Sequence, residues 1–159
     1  MPKQKHLIQL IEHYLGFILS PERLGEDTHV KTSSLIQILD ELAIRTHNQS
    51  GIFTDTEGED EPRLDYQDTY KTLTQHFTDY SYYSTVLDIN DLTKTDNLAA
   101  GDPLDDLTDI AVDLSEVLSI AQKYGEVAGQ YAFVDSYHLH WGFHLRQLQV
   151  YLHCQVTGF

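Results

Sequence analysis

Two histidines four residues apart, His140 and His144, are the residues of this chain best spaced to do chemistry. On an α-helix that spacing sets both imidazoles on one face, an arrangement that grips a transition metal once a third ligand comes near. Three aspartates, Asp106, Asp109 and Asp113, stand at i, i+3 and i+7 earlier in the chain and share the flank of another helix. Imidazole and carboxylate together suit a divalent transition metal, and a hydrolase built on such an ion is one chemistry they support. The same groups have a plainer use. Histidines that donate to aspartates or to backbone carbonyls fix a tautomer and a helix register in a polar layer of the core. His-x-x-x-His without the glutamate of a zinc protease is a common spacing, and that sets the plainer use ahead.

Whether the two sets meet depends on the helices that carry them. Asp102 can accept from the first free N–H groups of a helix, Pro103 tolerates its first position, and Asp105 and Asp106 face the positive end of its dipole. Leu104, Leu107, Ile110, Ala111, Leu114, Val117, Leu118 and Ala121 form its buried face. Tyr124-Gly125 breaks it, and the last helix is expected from Glu126 to about Cys154, with Val134, Tyr137, Trp141, Leu145, Leu148 and Leu152 on one stripe. Antiparallel neighbours rising about 1.5 Å per residue place His140 about 22 Å and Asp109 about 24 Å from the turn, at similar height. Trp141 and Gly142 suggest a ligand site with an indole wall and room beside it, against the simpler expectation that the indole is core and the glycine admits a neighbouring helix. His138 lies on the opposite border of the stripe from His140. His6, His13, His29, His47 and His76 are scattered, and most of them are expected in solvent.

The rest of the chain reads as helices too. Leu7, Ile11, Tyr14 and Ile18 predict one from Lys3 to Ser20, ended by Pro21. A second, capped by Asp27 or Thr28, runs to about Thr46 on Leu35, Ile38, Leu39 and Leu42. Thr54 to Glu61 is crowded with acid around Gly58 and is expected to be a mobile loop. After Pro62, the spacing of Tyr66, Tyr70, Leu73, Phe77 and Tyr80 predicts a third helix with an aromatic seam. Tyr82 to Gly101 has no clear period; Tyr83, Val86 and Leu87 are expected in the core, residues 89–101 form a long connection, and no strand is expected. The expectation is a single all-α domain over residues 1–159, a compact and mainly up-and-down bundle of about five helices.

Composition removes whole classes of partner. With 25 Asp and Glu against 10 Lys and Arg, the formal charge of −15 repels nucleic acid and anionic membranes, while a basic protein partner stays open. Cys154 alone supports neither an intrachain disulfide nor a cysteine-rich zinc site, and cytoplasm is the expected compartment. No run approaches the roughly 18 apolar residues of a spanning helix, and Met1 to Ile8 does not look like a signal peptide. No nucleophile elbow, Cys-His-Asn set or phosphate-binding loop appears.

Three blocks carry a resemblance: Tyr83 to Asp88; Asp105-Asp106-Leu107 with Asp109-Ile110 and Asp113-Leu114; and His140-Trp141-Gly142 with His144, followed by Leu145, Leu148 and Leu152. In type, order and approximate spacing they resemble the bacterial domain-of-unknown-function family 5063, over roughly Leu64 to His153 and more faintly over the N-terminal helices. The chain departs from the family pattern at Leu87-Asp88-Ile89. The resemblance implies a short helical protein, favours the aspartate and histidine cluster as its site, and supplies no activity. The leading expectation is therefore a non-enzymatic module acting through protein or small-ligand contacts, with no cofactor. The alternative is a metal-binding protein using His140 and His144 with Asp106, Asp109 or Asp113. A homodimer is a third possibility, with Tyr66, Tyr70, Phe143 and Tyr151 as its surface; Phe143 points about 160° from the centre of its helix's apolar stripe.

Overall fold

The computed structural model describes residues 6–47 and 61–158. The predicted acidic loop therefore lies outside the described residues except for Glu61, which pairs with Lys123 at 2.9 Å and accepts from the Tyr124 hydroxyl at 2.7 Å.

Helix α1 (Leu7–Leu19) buries Leu7, Ile11, Tyr14 and Ile18 completely, as their spacing requires. It ends at Ser20, held extended before Pro21. Helix α2 (Thr28–His47) starts where the Asp27 carboxylate accepts the Val30 N–H at 3.1 Å. Helix α3 (Tyr66–His76) is capped by Asp65, which accepts the Asp68 N–H at 2.9 Å. Helix α4 (Pro103–Tyr124) opens on Asp102, whose carboxylate accepts the Leu104 N–H at 2.9 Å. All-α organisation follows: α4 lies at the centre and packs against α1, α3, α5 (Glu126–Ser136) and α6 (Gly142–Thr157). Leu107, Ile110 and Leu114 of α4 meet Leu145, Leu148 and Leu152 of α6 in a core from which water is excluded.

Several local expectations are corrected. Within the supposed connection, β1 (Tyr83–Val86) pairs antiparallel with β2 (Leu98–Gly101), and Tyr83 faces Gly101. The ring of Tyr83 lies over Gly101, where a Cβ would come within 2.3 Å of it. Four-residue strands, one of them Leu-Ala-Ala-Gly, show no alternation to read, and the pair is held by this cross-strand fit instead. Leu87, expected in the core, is exposed just past β1. The last helix is also not uniform: a π turn over Tyr137–Trp141 joins α5 to α6. Gly142 permits it, because a Cβ there would stand 2.3 Å from the Tyr137 carbonyl oxygen. The neighbour that glycine admits is thus its own preceding turn rather than another helix.

Candidate functional site

Helix α4 turns one row of carboxylates toward α3, β1 and the π turn, and each neighbour answers with a donor. Tyr70 donates to Asp102 at 2.8 Å, and Tyr66 donates to Asp105. Tyr83 donates to Asp106 at 2.5 Å, while the other oxygen of Asp106 pairs with His144 Nδ1 at 2.8 Å. Two turns further, Asp113 pairs with His140 Nδ1 at 2.8 Å. Asp106 is only 5% exposed, so this double contact is what makes its burial tolerable.

Asp109 sits between these pairs and is treated differently. Among the described residues its nearest partner is His144 Nε2, at 3.4 Å from Oδ2, too long for a strong hydrogen bond. Asp109, His140 and His144 each offer a ligand atom within 4.8 Å of the other two. The imidazoles stand 4.9 Å apart, ring centre to ring centre, at 70° to one another. In both, Nδ1 is spent on a carboxylate, so Nε2 is the remaining ring nitrogen, and in His144 it already faces Asp109. A metal held tetrahedrally at about 2.0–2.1 Å spaces its ligands by roughly 3.4 Å, so closure on an ion calls for a modest inward shift of these side chains. His140 is the more exposed and less confined of the two histidines.

The electrostatics concentrate negative charge at this point. Burial raises the Asp109 carboxyl above its usual range, Asp105 and Asp113 push it the same way, and His144 and His140 oppose them. Burial alone would lower the His144 imidazole, but its bond to Asp106 and the charges of Asp109, Asp106 and Asp105 outweigh burial and hold it above its usual value. Burial first, then the carboxylate each one bonds, pushes the Tyr66 and Tyr83 phenols well above their usual value, so both stay protonated donors. The cluster is short of positive charge rather than of hydrogen bonds.

A groove of about 330 Å³ opens beside it, lined by Asp109, His140 and Asp113 on one side and by Arg63, Leu64 and Tyr66 on the other. This falls within the size range of small-molecule sites.

Of the six cluster residues named from the sequence, the structure brings five together. Asp106, Asp109, Asp113, His140 and His144 converge; Trp141 does not, being fully buried against Phe133 at 5.0 Å and donating its indole N–H to Ser136 at 3.0 Å. It belongs to the core behind the site and forms no ligand wall. Sequence spacing missed the three phenols and Asp105. Only the Tyr66/Tyr70 pairing at i, i+4 hinted at them, and the structure stacks those rings 6.2 Å apart. Tyr83 gave no signal, because a hairpin unseen in the sequence carries it to Asp106.

Comparison with known proteins agrees on architecture. The crystal structure of protein BF1032 from Bacteroides fragilis, a structural genomics target, superposes with a TM-score of 0.68 at 14% identity, over 94% of this chain and 89% of that one. At that identity the likeness concerns the fold alone. No curated protein matches the chain. A family model matches residues 7–156, nearly the whole length, and includes the hairpin, the aspartate row and the paired histidines. The chain belongs to the family described as Domain of unknown function (DUF5063).

Proposed function

We propose that this protein binds a divalent transition metal ion through Asp109, His140 and His144, and that the groove beside them admits a small ligand to that ion. One observation carries the proposal. Both imidazoles are fixed through Nδ1 by their own carboxylates, and both stand beside a third carboxylate that lacks a close donor. Ligating histidines backed in this way, with one carboxylate, are the donor set of open two-histidine sites for iron, manganese or zinc. Such a site leaves coordination positions for water or a ligand, and an ion there would act as a Lewis acid.

From sequence alone a non-enzymatic contact module ranks first, since no complete catalytic set is present. The supported imidazoles reverse that order. A polar layer needs only the Asp106 and Asp113 bonds, whereas a metal site also uses Asp109, the third carboxylate, which stands 3.4 Å from the remaining nitrogen of His144.

Titration calorimetry on chelator-treated protein tests the proposal. Zinc and manganese salts are expected to bind at one equivalent, with Asp109→Asn weakening binding at least tenfold. Equal affinity in the wild type and Asp109→Asn would contradict it.

A further inference from the structure

Helix α6 and the π turn before it carry a surface that the metal site does not use. From Tyr137 to Thr157 the chain has no aspartate or glutamate and one arginine, in a protein of net charge −15. Along this neutral length Leu139, Phe143 and Val150 are exposed by 77%, 61% and 66%. The last two are seven residues apart and share one face, and Leu139 precedes Phe143 by a single turn of the π segment. Next to Val150 a depression of about 280 Å³ runs between α6 and β1, bordered by Tyr82, Ser84, Gln147 and Cys154.

We propose that a second copy of this chain docks on this face through an antiparallel α6–α6 pair. Two bodies each carrying −15 repel least through a face with no acid of its own, and α6 offers one, with the Asp40 carboxylate beside it engaged by Gln149. A basic partner, the other candidate from the overall charge, finds no carboxylate on α6 to attract it.

The face is also complementary to itself. A two-fold axis between Arg146 and Gln147 sets Phe143 of one copy opposite Val150 of the other, and Leu139 opposite Cys154. The protruding ring and the depression that receives it then lie equally far from the axis, as an isologous contact requires. The other dimer candidates fall away for a physical reason: Tyr151 is buried, and the hydroxyls of Tyr66 and Tyr70 are engaged by Asp105 and Asp102. The proposal is independent of the metal, since Leu139, Phe143 and Val150 lie outside the ligand set.

Sedimentation velocity on the full chain at tens of micromolar tests it. The expected result is a dimer, with Phe143→Glu and Val150→Glu each raising the dissociation constant at least tenfold while the helical circular dichroism is unchanged. The two variants are independent, so poor folding of one leaves the other decisive. Leu139→Cys is expected to form an interchain disulfide with Cys154 under mild oxidation. A monomer throughout that range, which would leave the face to a different partner, or a dimer that survives both charged variants, overturns the proposal.

Discussion

Asp106 shows how a single residue ties the fold to the site. It is a buried carboxylate with a phenol on one oxygen and an imidazole on the other, so removing either partner leaves charge without compensation. His144→Ala is expected to destabilise the metal-free protein by about 1–3 kcal/mol, measured by denaturant titration. His140→Ala breaks a half-exposed pair and should cost less than about 1 kcal/mol. Both substitutions should abolish metal binding. Equal stability losses would mean that the two histidines do not divide into a buried anchor and an outer ligand. Residue types and spacing were enough to find Asp106, Asp109, Asp113, His140 and His144, because helical geometry converts spacing into shared faces. Height arithmetic brought His140 level with Asp109 but could not say which oxygen each nitrogen would take. The structure pairs His140 with Asp113, one turn nearer the corner, and that choice leaves Asp109 with only the longer 3.4 Å contact to His144.

At the scale of elements, the sequence was most legible where local chemistry decides the outcome. Asp102-Pro103 and Asp27 begin helices because their side chains satisfy N–H groups close by in the chain, and Gly125 ends α4 for equally local reasons. The two elements that could not be read depend on close approaches between atoms. The hairpin needs Tyr83 lying over Gly101, and the π turn needs a bare Cα at Gly142. A period of 3.6 residues cannot announce an added residue, so a continuous last helix was the natural expectation. Because the π turn holds His140 and Trp141 and is followed at once by α6 with His144, it sets how the imidazoles meet α4. Gly142→Ala is expected to cost about 1–3 kcal/mol by overpacking and to weaken metal binding in parallel. Calorimetry on the variant would show whether the two losses occur together. A variant that loses stability and keeps full affinity would mean that the turn does not position the ligands.

The whole molecule packs α1, α3, α5 and α6 around α4, and no helix among the described residues is long and apolar enough to cross a membrane. Its tyrosines give that packing a pH signature. Burial raises Tyr14 well above its usual value and Tyr80 to about 12, while the bond to Asp102, helped by burial, raises Tyr70 to about 12. The unfolded chain loses these protons near pH 10, whereas the folded chain still holds them. The unfolded state therefore binds fewer protons above about pH 10, and stability must fall as pH rises through that window. Thermal unfolding followed at the single tryptophan should show this decline, with part of the tyrosinate absorbance appearing only as the protein unfolds; a folded protein in which all ten tyrosines ionise together would show that these phenols are not buried as described.

Metal content tests the central claim most directly. Untagged protein, purified without chelator and analysed by mass spectrometry for its elements, is expected to hold close to one equivalent of zinc, manganese or iron per chain, and Asp109→Asn and His140→Ala are expected to hold almost none. Wild-type protein that carries no metal, and that takes none up when supplied with these ions, would contradict the account and leave the aspartates and histidines as a structural polar layer.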